Sequence, residues 1–296
     1  MHRRCLDRPK TYSLYNTMRF LRIGHRDPTL RLDERRLQRA TRYDTGPATL
    51  DVEDTGSALQ VTAWGPGAEE ALERAPRLLG LHDTWPPPDP PHPLLRRLHR
   101  SIGGLRLLDT GQIVHSLVPI VLQQQVTWAE AVACWGNLVR WHGEPAPGPL
   151  DLTLPLPPEG LRGLGVAEYR RAGVPAKRAT VLVSIGRRAK RLEEAAAMDD
   201  DEAYRRLTAL SGIGPWTAGC VLGLGLGRPD AVVLGDVHMP NMVAWGLDGV
   251  ARGTDDEMLK RLEPWRGQRF RVVRLMLGAG IQAPRRGPKR APTWME

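Results

Sequence analysis

The sequence predicts a mainly α protein with an N-terminal mixed α+β domain containing a small antiparallel sheet. Three observations predict it. Period-two alternation is confined to the early part of the chain, in "ATLDVEDTGSALQVTAW" over 48–64. A proline-rich stretch, "WPPPDPPHP" over 85–93, follows. Beyond it, apolar residues recur at helical spacing almost to the end of the chain. The expected organisation is an α+β domain over 1–92, a helical region over 93–284, and a basic tail over 285–296 that is expected to be disordered.

Each element follows from local chemistry. Leu50 and Val52 share one face of a strand, and Leu59, Val61 and Ala63 share one on the return, with "DTGS" turning between them. "GAEEALERAPRLLG" reads as a helix with Gly80 past its end. The proline stretch can be neither a regular helix nor a central strand, so it is expected as a linker packed on the surface. "PLLRRLHRSI" is a short amphipathic helix. Over 113–141, Ile113, Leu117, Ile120, Val121, Trp128, Val132, Trp135 and Val139 keep helical spacing, interrupted by the glutamines at 123–125. "EPAPGPLDLTLPLPPEG" is a long proline-rich connection, after which "PAKRATVLVSIGRRAKRL" and "DDEAYRRLTAL" read as helices. "TDDEMLKRL" opens on a capping box of Thr254 and Glu257, and "RVVRLMLGAG" makes a last apolar helix. No internal repeat recurs.

Composition narrows the partners. The chain has 296 residues, of which 41% are apolar, enough for a sizeable core. Its formal charge of +9 suggests a polyanion partner, nucleic acid being the commonest. Arg far outnumbers Lys, which suits bidentate phosphate contacts. Cys5, Cys134 and Cys220 are scattered and odd in number, so neither a disulfide framework nor a zinc or iron–sulfur spacing is present. His82, His92 and His99 have no ligand spacing, and no metal site is expected. With no apolar run of eighteen residues and no apolar signal core, the expectation is a cytoplasmic protein without a membrane partner.

The most informative stretch is "LSGIGPWTA" over 210–218. Glycine takes positive φ without a Cβ clash, so Gly212 and Gly214 permit a sharp reversal between two helices. Pro215 suits the first turn of the second helix, and Ile213 can pin the turn to the core. The result is a helix-hairpin-helix. Its unpaired amides and the positive end of the helix dipole suit a DNA phosphate, independently of base sequence. On these residues alone an ordinary αα-corner with glycine caps is the commoner reading.

Further on, the chain reads "VVLGDVHMPN", where Asp236 taken alone is an N-cap. The pair is more specific: "LSGIGPWTAG…VVLGDVHM" resembles the helix-hairpin-helix DNA glycosylase superfamily, with its glycine hairpin and trailing aspartate. Within it the chain is similar to the bacterial 3-methyladenine DNA glycosylase II branch. "IVLQQQVTWAEA" (120–131), "GVPAKRATVLVSIGRRA" (173–189) and "EPWRGQRF" (263–270) resemble further segments of that branch, and the likeness runs from about 48 to 283.

The resemblance implies a helix-hairpin-helix bundle of two helical subdomains with a cleft between them, acting on double-stranded DNA with damaged bases in base excision repair, as a monomer. It implies DNA-backbone contacts from Ser211, Gly212, Ile213, Gly214 and Thr217, and a catalytic carboxylate at Asp236 that stabilises an oxocarbenium-like sugar. Members that also cut the backbone carry a lysine where this chain has Trp216, and an indole cannot form a Schiff base, so a monofunctional enzyme without lyase activity is expected. No cysteine follows Cys220, which excludes the iron–sulfur cluster of related branches. No cofactor is expected, beyond a weakly held alkali ion at the hairpin carbonyls that the resemblance allows.

The candidate base pocket or plug comprises Trp216, Gln124, Gln125, Cys220, Val237 and Arg274. Trp216 reads either as a platform for a flipped base or as a core residue packing the hairpin. Gln124 falls on the branch's glutamine. Gln124 and Gln125 read either as a polar bend or as a filler for the gap left by an extruded nucleotide. By alignment, Cys220, Val237 and Arg274 stand where the branch carries Tyr or Trp, and Gln125 replaces an apolar plug. A wider, more polar pocket, less reliant on stacking, is therefore expected, and bulky or neutral lesions become an alternative to small methylated purines. Arg274 reads as facing phosphate, pairing with Asp236, or pointing to solvent, and His238 as a helix-surface histidine. The competing function is a non-catalytic DNA-binding module.

Overall fold

The computed structural model describes residues 1–84 and 86–284. The basic tail expected over 285–296 lies outside the described residues. Strands β1 (His2–Asp7), β2 (Leu30–Leu32), β3 (Arg36–Tyr43), β4 (Gly46–Asp54) and β5 (Ala58–Trp64) form one antiparallel sheet in the order β1-β5-β4-β3-β2. The helices of this part are α1 (Leu14–Met18) and α2 (Ala68–Leu78). Then come α3 (Pro93–Ser101), α4 (Ile113–Leu122), α5 (Trp128–His142), α6 (Pro158–Gly163), α7 (Val166–Arg171) and α8 (Ala176–Arg187). The chain ends with α9 (Ala189–Glu193), α10 (Asp200–Thr208), α11 (Pro215–Cys220), α12 (Met239–Asp248), α13 (Asp255–Leu262) and α14 (Arg269–Gly278).

The β4–β5 hairpin has the predicted faces: Leu50, Val52, Leu59, Val61 and Ala63 are buried against α1 and α2. The outer strands were not legible. β3 turns Arg39 inward where alternation would place an apolar residue, and β1 is an edge strand that is exposed along most of its length. The described part of the proline stretch packs on the surface as expected, with Trp265 Nε1 donating to the Pro90 carbonyl at 2.8 Å. The region beyond it is not wholly helical. Leu150, Leu152 and Leu154 alternate within the proline-rich connection, which pairs as a short ribbon of β6 (Glu144–Pro145) and β7 (Thr153–Leu154). Leu152 and Leu154 pack with Ala40 in a small separate core.

Partly buried carboxylates hold the helical region in place. Glu193 accepts from the amides of Ile113 and Val114 at 2.8 and 2.9 Å, capping α4 from a distant part of the chain. Asp230 accepts from the Gly267 and Arg269 amides and from the Arg269 guanidinium, fastening the segment before Asp236 to the start of α14. Burial alone would raise the Asp230 carboxyl, but the bonds from Arg269 outweigh it and hold the group below its ordinary value. A depressed folded value means that the pair stabilises above the unfolded pKa of about 4 and that its contribution fades as pH falls through the folded value. Asp230→Asn is therefore expected to cost roughly 1 kcal/mol at pH 7, after solvent screening. Urea unfolding should show that deficit shrinking at pH 3.

Candidate active site

The hairpin is built as its residues dictate. Ile213 is buried and its amide donates to the Leu210 carbonyl at 2.9 Å, which closes the turn. Gly212 has φ +90, and a Cβ there would lie 2.3 Å from Val181 Cγ2. The same reasoning does not hold for Gly214: its φ of −93 is open to any residue, and a Cβ would meet nothing within 4 Å. What Gly214 contributes is an unobstructed approach to the turn. Among the described residues the amides of Ser211, Gly212 and Gly214 have no hydrogen-bond partner. Pro215 opens α11 at its first position, as expected.

Two of the expected phosphate contacts are otherwise engaged. Thr217 is buried and its hydroxyl accepts from Gln124 Nε2 at 2.9 Å, so its side chain is not offered to a phosphate. Ile213 spends its side chain on the core and its amide on the turn. Gln124 Nε2 also donates to the Gly212 carbonyl at 2.9 Å, so this side chain ties the turn after α4 to the hairpin rather than standing free as a plug. Gln125 is exposed at φ 55, the left-handed apex of the break between α4 and α5.

Asp236 meets this hairpin. Its Oδ2 accepts from Trp216 Nε1 at 2.8 Å. Its Oδ1 accepts from the amides of His238 and Met239, both at 2.7 Å, so the carboxylate also caps the start of α12. Gly235, at φ +78, donates its amide to Asp255 Oδ2 at 2.7 Å, which clamps the loop from the other side. Asp255 carries no sequence signal beyond its place in the first turn of α13. His238 is exposed and contributes its backbone amide.

Trp216, Cys220 and Leu224 fall on one stripe, at i, i+4 and i+8, and line a cavity of about 680 Å³. Asp236 is not part of the wall but is held on the indole that is. The sheet contributes Leu30, Arg39 and Ala40, so the expected cleft between helical subdomains is walled by the N-terminal region as well. Tyr15, Phe20, Trp128 and Trp135 also face it. Other segments thus supply rings that are absent from the positions compared. Burial first, and the Asp236 carboxylate second, push the Cys220 thiol far above its ordinary value, so it is a neutral wall residue.

Val237 and Arg274 do not belong to the pocket. Val237 is 77% exposed, because the chain turns outward after the Asp236 cap. Arg274 is buried and meets neither solvent nor Asp236: its Nη2 donates to the Asn16 and Thr17 carbonyls at 2.9 and 3.3 Å. Its guanidinium lies 4.1 Å from the centroid of the Phe20 ring, behind the cavity wall. Burial, then the neighbouring Arg19, lower its pKa to about 9.

A second concavity, of about 600 Å³, adjoins the hairpin where Ala209 and Leu210 meet Arg188, Arg191, Arg205 and Arg206. Arg206 is paired with Glu194. Arg188, Arg191 and Arg205 are exposed and give this flank a positive charge drawn from the junction of α8 and α9, from α9 and from α10.

Among the described residues, no helix is long and apolar enough to cross a membrane and no cluster of three or more His, Cys, Asp or Glu residues is placed to hold a metal ion. No protein-family model matches the chain. It is 26% identical over 185 residues to a DNA-3-methyladenine glycosylase of Bacillus subtilis, covering 59% of each chain. It is 33% identical over 152 residues to a probable bifunctional transcriptional activator/DNA repair enzyme AlkA of Mycobacterium tuberculosis, covering 50% of this chain and 30% of the relative. The match thus spans 59% and 30% of these relatives' lengths, less than two thirds of either. In structure it is similar to the 3-methyladenine DNA-glycosylase of Archaeoglobus fulgidus, with a TM-score of 0.76 at 22% identity over 94% of this chain and 98% of the other. An 8-oxoguanine glycosylase/lyase of Clostridium acetobutylicum in complex with double-stranded DNA aligns with a TM-score of 0.67 at 14% identity, over 94% and 97%.

Proposed function

We propose that this chain, which has the helix-hairpin-helix DNA glycosylase fold and is similar in sequence to the 3-methyladenine branch, hydrolyses the N-glycosidic bond of alkylated purines in duplex DNA without cutting the backbone. The observation that carries the reading is the Asp236 carboxylate held on the indole of Trp216, one turn from the glycine hairpin and against the cavity wall. The hairpin amides hold phosphate oxygens without reading sequence. The target nucleotide leaves the stack, at a cost of a few kcal/mol that is least for a damaged base. The base enters the cavity over Trp216. Asp236, its orientation set by three hydrogen bonds, stabilises the oxocarbenium-like sugar as the base departs and orients the attacking water.

Trp216 supports the monofunctional reading, because an indole engaged with a carboxylate supplies no amine for a Schiff base. Incubating the protein with alkylated duplex, then splitting the sample between neutral buffer and hot alkali, tests it. Strand breaks are expected only after alkali. Breaks in neutral buffer would mean a lyase, and binding without breaks in either would mean a DNA-binding module.

A further inference from the structure

The cavity is far larger than a purine bound over Trp216 requires, and its inner end is polar. From Trp216 the stripe runs along α11 into the π-helical turn Val221–Gly225, which carries Leu224. There Thr110 Oγ1 donates to the Gly225 carbonyl at 3.0 Å, and Arg39 and His115 also face the cavity. Arg39 comes from β3 and is only 7% exposed. Its Nη2 donates to Gln112 Oε1 at 3.0 Å, while Gln112 Nε2 is taken by the Arg42 carbonyl, which fixes the amide. His115 Nδ1 is tied to the Thr41 hydroxyl at 2.6 Å.

Arg39 is the anomaly of this group. Buried charges are ordinarily paired, yet no carboxylate lies within ion-pair distance of it among the described residues. After burial, the groups that act on it are Tyr43 and then Asp27, and the Asp27 carboxylate is already occupied by the Ile23 and Thr29 amides, the Thr29 hydroxyl and the Trp135 indole. A guanidinium has five N–H donors, and among the described residues this one makes a single hydrogen bond. His115 does not offset the charge: burial, then Arg39 and Arg42, lower its pKa to about 3, so the ring is neutral.

We infer that Arg39 marks a second subsite at the inner end of the cavity, which receives the substituent of an extended purine adduct whose far end carries a carboxylate or carbonyl oxygen. Gln112 positions the guanidinium, and His115 beside it on the cavity wall supplies polarity without charge. A small cationic methylpurine leaves this subsite empty and gains nothing from it. An acceptor-ended substituent satisfies a buried cation, and such charge-assisted bonds are the stronger kind.

The inference rests on the glycosylase reading, and one experiment separates the two. Release of 7-methylguanine and of 7-(carboxymethyl)guanine from otherwise identical duplexes is measured with the full chain, spontaneous depurination being subtracted. The wild type is expected to favour the carboxymethylated base by tenfold or more in kcat/KM. Arg39→Gln is expected to lower that ratio at least tenfold, and Arg39→Lys to restore part of it. Equal rates on the two bases in the wild type overturn the subsite without recourse to any variant, as does a preference that survives Arg39→Gln. Release of neither base overturns the glycosylase reading and the subsite with it.

Discussion

Asp236→Asn is expected to lower the rate of base release by at least a hundredfold, about 3 kcal/mol of lost transition-state stabilisation, while duplex binding is retained. The substitution is informative because Asp236 has two functions in the fold. Its Oδ1 caps α12 through the His238 and Met239 amides, and asparagine caps as well as aspartate does. The structural role therefore survives. What changes is Oδ2, which faces Trp216 Nε1. An amide nitrogen there would oppose a donor to a donor, costing about 1 kcal/mol. A variant that melts within a few degrees of the wild type, binds abasic duplex and releases no base places the negative charge in the chemistry. Near wild-type release would mean that Asp236 is a cap and nothing more.

Gly212→Ala is expected to weaken duplex binding tenfold or more and to destabilise the fold by roughly 1–3 kcal/mol. Both effects have one origin. The residue has φ +90, and an added Cβ would sit 2.3 Å from Val181 Cγ2, a buried side chain of α8. Neither the turn nor the helix can yield without displacing the amides that face outward. Gly214→Ala is the contrast, since φ is −93 and nothing lies within 4 Å of an added Cβ. Its melting temperature should stay close to the wild type. Fluorescence anisotropy on an abasic duplex, with thermal melts of both variants, separates the two positions. Equal losses for the pair would mean that backbone conformation at Gly212 is not what presents the hairpin.

Legibility followed the range of the interaction concerned. The β4–β5 alternation, the Thr254–Glu257 capping box and the proline at the head of α11 are each written within a few residues, and the structure has all three. β1 and β3 escaped because one lies exposed at an edge and the other turns an arginine inward, so neither carries the alternating signal. The capping box at Thr127 and Glu130 was equally local and was obscured by the glutamine run before it. The site was legible in kinds of residue but less so in their duties. Asp236 and Trp216 stood out, yet the bond between them joins positions twenty residues apart. Gln124 stood out too, and only its bonds to Gly212 and Thr217 show it as a tie across 88 and 93 positions. Arg274 looked like a pocket residue because alignment gives a position along a helix and not the partners on its far side.

The sequence by itself determined the helical character, the glycine hairpin and the aspartate that trails it, since these depend on backbone chemistry within a turn or two. Tertiary structure alone decided the cavity. Its wall is gathered from the sheet, the break between α4 and α5, α11 and the end of α14, and no local pattern records which of those surfaces will face one another. It also decided that Arg39 would be enclosed with no acid beside it. Burial and pairing are properties of the neighbours that folding brings to a residue, and a charge shows its cost only once water has been taken away.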